Sequence, residues 1–184
     1  TEIRRITFTG TWTLESDEVL SRRAQLEAAA ALWLEGLPDG TDDFEKAKYI
    51  YDALILRTEY EQGSADSQTI CSVLLNQRSV CQGYAKTFQY LCQLAGIPAM
   101  LVTGDVNGEG HAWNIVEING EQYYVDATNG DQPAFLEGGA VSLEEHKTTI
   151  YDYLCPFPQE YEQLYTASDE FPVPECTATD LNFY

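Results

Sequence analysis

The sequence predicts one α+β domain, with N-terminal helices packed against a small antiparallel sheet. Three observations lead there. Two long stretches in the first third of the chain carry helical composition and stop signals. A further apolar stripe at helical spacing runs from Cys81 to Ala95. Three short apolar segments then follow one another, the last two joined through Asn119-Gly120, a strong hairpin turn signal.

In chain order, Ile3 to Leu14 alternates loosely through Ile6, Phe8 and Trp12, which reads as a strand or extended arm. Leu20 to Gly36 is rich in Ala, Leu, Glu, Gln and Arg and ends at Gly36 before Pro38, as a helix does. Asp42 followed by Glu45 has capping-box spacing. The helix it opens gathers Phe44, Ala47, Tyr51, Leu54 and Ile55 on one side. Residues 63–68 are small and polar, hence a loop. In the Cys81 helix, Cys81, Ala85, Phe88, Cys92 and Ala95 recur at steps of four and three, and Gly96 and Pro98 end it. Strands are expected over 97–103, 112–118 and 122–125. Gly104 to Gly110 reads as a flexible run, and the stretch after Asp126 as irregular and tyrosine-rich.

With 184 residues, 44% of them hydrophobic and 12% aromatic, the chain can bury a core without metals or disulfides. Its 30 acidic and 10 basic side chains give a formal charge of −20. That balance disfavours nucleic acid or an anionic membrane surface as partner, and no apolar run is long enough for a membrane span. The chain begins at Thr1 without a signal segment, so it reads as a segment excised from a larger or processed protein. An extracytoplasmic or cell-surface location is expected.

The cysteines are Cys71, Cys81, Cys92, Cys155 and Cys176. No Cys-x-x-Cys pair or matching histidine suggests zinc, and no acidic loop has calcium-ligand spacing. An odd count leaves at least one free thiol. Cys81 is the candidate, with the other four either partly paired or reduced and buried.

Cys81 stands where its helix begins, so unpaired amide donors and the helix dipole favour the anionic thiolate. An ordinary thiol with pKa about 8.5 is mostly protonated at neutral pH, whereas helix-terminal thiols beside an imidazole titrate far lower. His111, at the mouth of a strand after the glycine-rich run, is one of only two histidines. The other, His146, lies in a polar stretch and reads as exposed. Asp126 ends the next strand, and a turn at Asn119-Gly120 brings it within about one register step of His111. Such an aspartate fixes the tautomer of a histidine and stabilises the imidazolium.

The runs Val80-Cys81-Gln82-Gly83-Tyr84-Ala85-Lys86, Leu94-Ala95-Gly96-Ile97-Pro98, Gly110-His111-Ala112-Trp113-Asn114 and Tyr124-Val125-Asp126-Ala127-Thr128 together resemble the bacterial transglutaminase-like superfamily. The motif-bearing part spans about residues 66–131. The resemblance implies a papain-like core with the nucleophile at the N-terminus of a central helix. It also implies a catalytic Cys81–His111–Asp126 triad and acyl transfer through a Cys81 thioester.

On that reading the oxyanion is held by the Cys81 amide and a neighbouring donor, for which Gln82 and Trp113 are candidates. Gly83, which permits close approach, and Tyr84 complete the candidate pocket. The expected substrate is a protein or peptide, cell-wall peptide included, with hydrolysis preferred to amine cross-linking and no cofactor or metal. The rival is a non-catalytic binding or structural module of a cell-surface protein. Asn129 stands where many relatives carry tryptophan, which alters the wall beside the triad. Tyr151, Tyr153, Tyr161 and Tyr165 are expected to serve packing more than a peptide groove.

Overall fold

A computed structural model describes residues 14–37, 39–131 and 151–182. The strand expected over 3–14, except its last residue, and His146 lie outside the described residues.

Helix α1 (Ser16–Leu34) precedes α2 (Asp43–Arg57). The Asp42 carboxylate accepts from the Glu45 backbone N–H at 2.9 Å, as the capping spacing requires. Helix α2 buries Ala47, Ile50, Tyr51, Leu54 and Ile55. Two-residue strands β1 (Glu59–Tyr60) and β2 (Arg78–Ser79) pair in parallel around the short helix α3 (Ile70–Leu74). Helix α4 (Cys81–Leu94) starts directly after β2 and ends at Gly96, whose φ of +81° only glycine adopts freely.

Strands β3 (Ala99–Val106), β4 (Glu109–Ile118) and β5 (Glu121–Val125) form an antiparallel meander. The four-residue helix α5 (Ala127–Gly130) follows β5, and α6 (Pro158–Tyr161) leads to β6 (Tyr165–Ala167). Strand β6 pairs with β3, so the sheet order is β5-β4-β3-β6.

The sheet has two covered faces. Val116, Ile118, Tyr123 and Val125 pack with α2, α3 and α4 in the main core. On the other face Val102, Trp113 and Ile115 pack with Tyr161, Tyr165 and Cys176 from the C-terminal part. Strand alternation separates the two sets, and it puts His111 on the same face as Trp113 and Ile115.

Two expectations need correcting. The run 104–110 is a tight hairpin, not a flexible loop. Asn107 and Gly108 adopt φ of +53° and +87°, and β3 and β4 stay paired up to Val106 and Glu109. Positive φ at both central residues matches the twist of the flanking strands, and Asn-Gly adopts it readily. His111 therefore lies inside β4, opposite Gly104, and not at a strand mouth. Residues 151–182 are largely irregular, as expected, apart from a single 3-10 turn, α6 and β6, and they supply the cover for the second face of the sheet.

Candidate active site

Helix α4 is anchored at the end that carries Cys81. Ser79 donates its hydroxyl to the Ser67 carbonyl at 2.8 Å and shares a 2.7 Å hydrogen bond with Ser72. A Cβ on Gly83 would overlap Ser79 Oγ and approach the Ser67 carbonyl oxygen to 2.8 Å. The close approach that Gly83 permits is therefore made by the 67–79 segment. Tyr84 is fully buried and donates its hydroxyl to Asp131. Both residues face the protein interior.

The strand carrying His111 is tied to the same helix through buried Asn114. Its side-chain amide donates to the carbonyls of Ala85 in α4, at 2.9 Å, and of Met100 in β3, at 3.0 Å. One amide thus holds helix, β3 and β4 together.

The hairpin register places Asp126. Ile118 pairs with Glu121 and Asn114 with Val125, so the next position of the chain falls beside Trp113 and on the face of His111. His111 Nε2 lies 2.7 Å from Asp126 Oδ2, and the carboxylate is 1% exposed. Asp126 also caps α5, its Oδ1 accepting from the backbone N–H groups of Thr128 (3.0 Å) and Asn129 (3.1 Å). Oδ2 further accepts from the Asn129 side-chain amide at 2.9 Å and the Tyr165 hydroxyl at 2.7 Å. A carboxylate buried this deeply costs several kcal/mol unless hydrogen-bonded, and here five donors serve it.

With Nε2 committed to Asp126, Nδ1 is left for the thiol. Burial pushes the partly buried Cys81 thiol up. The hydrogen bond and charge of His111, with the amides of Ala112 and Gln82, outweigh burial, so its pKa lies below the ordinary value. Strand β5 pairs with β4 only as far as Asn114, which leaves the Ala112 amide beyond it without a strand partner on that side. Burial pulls His111 down, but hydrogen bonds and charge from Asp126 and Cys81 lift it to about 10. Both directions favour the thiolate–imidazolium form over the neutral pair.

Trp113 backs this pair. It stacks on His111 with ring centres 6.2 Å apart and meets Tyr165 edge-on at 5.2 Å. The indole is 2% exposed, and its Nε1 has no hydrogen-bond partner among the described residues. Near the sulfur, the chain presents the backbone amide of Gln82.

Sequence reasoning missed two donors, Tyr165 and the side chain of Asn129. Asn129 was visible as a departure from the expected tryptophan, whereas Tyr165 was one tyrosine among many. Tyr161 stacks on Tyr165 at 3.6 Å and Tyr124 on Tyr161 at 4.5 Å, so these rings pack together. An open groove between α1 and α3, lined by Arg22, Leu26, Ile70, Cys71 and Tyr90 among others, includes none of the Cys81 cluster. Among the described residues, no group of three His, Cys, Asp or Glu could hold a metal ion, and no helix is long and apolar enough to cross a membrane.

Residues 33–127 match the family described as the transglutaminase-like superfamily. The chain belongs to the transglutaminase-like superfamily. Kyphoscoliosis peptidase of Homo sapiens is 32% identical over 111 residues, covering 51% of this chain and 17% of that protein. The Mus musculus protein of the same name is 30% identical with the same coverage. The chain thus spans about a sixth of the length of these curated relatives. Among solved structures, one described as a TGase superposes with a TM-score of 0.52 at 17% identity, over 73% of this chain and 37% of that one. That likeness concerns the fold. The α+β architecture, with N-terminal helices on a small antiparallel sheet, is the one expected from the sequence.

Proposed function

We propose that the chain is a thiol-dependent acyl-transfer enzyme acting on peptide or carboxamide bonds, with Cys81 as nucleophile, His111 as acid–base and Asp126 as orienter. The observation that carries the reading is the continuous line of contacts from the α4 terminus through His111 Nε2 to the saturated Asp126 carboxylate.

In the first half-reaction, Cys81 Sγ attacks the carbonyl carbon and an S–C bond forms while the carbonyl electrons move to oxygen. Helix-terminal amides next to the sulfur are suited to hold that oxyanion. The His111 imidazolium gives its proton to the departing nitrogen, the C–N bond breaks, and a neutral thioester remains. In the second, His111 takes a proton from water and hydroxide attacks the thioester. The S–C bond then breaks, releasing the acid and restoring thiolate and imidazolium.

Hydrolysis is preferred to amine transfer because no feature of the sequence marks an amine-acceptor site, and the curated relatives carry the name peptidase. A protein or peptide substrate and an extracytoplasmic location belong to the same proposal. The test is incubation with a glutamine-containing peptide and a labelled primary amine, comparing acid release with amine incorporation in wild type and Cys81→Ala. Hydrolysis predicts excess acid that Cys81→Ala abolishes. Dominant amine incorporation would reverse the preference. Turnover that survives Cys81→Ala would remove Cys81 from the chemistry, and a wild type that neither releases acid nor incorporates amine would favour the binding module.

A further inference from the structure

The Asp126 oxygen that engages His111 is shared. Oδ2 accepts from His111 Nε2, from the Asn129 side-chain amide and from the Tyr165 hydroxyl. The Asn129 amide also donates to the Tyr165 oxygen, which closes a ring of hydrogen bonds beside the imidazole. Tyr165 comes from β6, beyond the family-matched segment 33–127.

The Tyr165 ring is held from several sides. It stacks on Tyr161, lies edge-on to Trp113, and stands 6.1 Å from His111 at 63°. Opposite β6, Gly104 lets the strand close in, since a Cβ there would overlap the Thr166 carbonyl. Burial and the Asp126 charge both hold the Tyr165 phenol in its protonated form, so it remains a donor. Tyr51, Tyr153 and Tyr161 also feel the Asp126 charge, whereas Tyr165 reaches the carboxylate itself with its hydroxyl. The groups facing His111 are Cys81 from α4, Asp126 after β5 and Tyr165 from β6.

We propose that Tyr165, together with Asn129, is a positioning residue that draws part of the Asp126 charge away from His111 and so keeps the imidazolium acidic enough to give up its proton. A carboxylate with one strong donor concentrates its charge on that donor, and competing donors disperse it. Without the phenol, Asp126 grips the imidazolium harder. The proton is then held longer when the leaving nitrogen needs it. The inference rests on the acyl-transfer reading only in giving that proton a destination.

The experiment is a 15N NMR titration of His111 in wild type, Tyr165→Phe and Asn129→Ala, run beside the pH profile of Cys81 alkylation by iodoacetamide. Tyr165→Phe keeps the ring and removes the donor. Its imidazole midpoint should rise by about half a pH unit or more, while the acid-side alkylation midpoint stays in place. Asn129→Ala, which loses the second donor, should shift the imidazole the same way, and it decides alone if Tyr165→Phe fails to fold. An unchanged or lowered midpoint in a folded variant would overturn the proposal and leave Tyr165 as packing. An ordinary thiol profile in wild type would instead strike at the acyl-transfer reading, so the two failures are told apart.

Discussion

Replacing Asp126 with asparagine changes one oxygen to an NH₂ group and leaves the shape of the side chain intact. The carbonyl oxygen that remains can still cap α5 through the Thr128 and Asn129 amides. The new NH₂ then faces Asn129 Nδ2, the Tyr165 hydroxyl and His111 Nε2, all of which donate to Asp126 in the native site. The strain is eased if His111 Nε2 gives up its proton and accepts, which forces the neutral tautomer with Nδ1–H toward the sulfur. That imidazole cannot take a proton from the thiol.

The magnitude follows from what lifts His111 from 6.5 to about 10. The hydrogen-bond contribution of Asp126 ranks above that of Cys81, and its charge contribution above that of Cys81, so Asp126 supplies at least half of the upward push. Asp126→Asn should lower the imidazole midpoint by about two pH units, worth about 3 kcal/mol. Thiolate and imidazolium then coexist over a window narrowed from its alkaline side. Turnover should fall by about a thousandfold or more, the scale on which a wrong tautomer disables a nucleophile–base–orienter set. The assay is 15N NMR titration, tractable because the chain holds only two histidines. A folded Asp126→Asn protein whose His111 midpoint matches wild type would refute the reasoning.

Asn114→Ala leaves the Ala85 and Met100 carbonyls short of a donor inside the protein, so urea unfolding should show a loss of about 2–4 kcal/mol. Gly104→Val should destabilise by about 1–3 kcal/mol and slow Cys81 alkylation, because its side chain meets the Thr166 carbonyl and the Trp113 ring and pushes β6 away. The folded-state pKa of His111 is raised, so its contribution to stability is complete below about 6.5 and disappears as pH rises through about 10. Cys81 has the opposite sign: its lowered pKa contributes above the ordinary value, and the contribution disappears as pH falls through the folded value. In a Cys81→Ala background, where that opposing contribution is absent, the Tm difference between the His111 and His111→Gln proteins should shrink as pH rises above 6.5; a difference that grows would contradict the assignment.

The readable parts of the chain were those with local signals. Asp42 with Glu45, the stripe from Cys81 to Cys92, and Asn119-Gly120 each dictate geometry within a few residues, and the structure follows them. The Asn119-Gly120 turn also carried non-local information, because hairpin register converts a turn into the meeting of positions 111 and 126. The Asn-Gly at 107–108 was hidden among Gly104, Asp105 and Gly110, which by composition suggest a loop. What stayed illegible depends on tertiary contact. Strand β6 is three residues long, too short for any alternation to show, and only its pairing with β3 brings Tyr165 to Asp126. Gly83 and Tyr84 sit beside Cys81 in sequence, but successive helical positions point in different directions, and theirs is the core.

The central claim is that Cys81 is a thiolate stabilised by His111 and the α4 terminus. The direct measurement is the iodoacetamide alkylation rate across pH, with the modified residue mapped by mass spectrometry. A thiolate held in this way predicts one fast label on Cys81 and a rate plateau reached well below pH 8. Burial pushes the thiols of Cys92, Cys155 and Cys176 up, so they should lag. A Cys81 rate that climbs with an ordinary thiol midpoint of about 8.5, or a fast label landing on another cysteine, would contradict it.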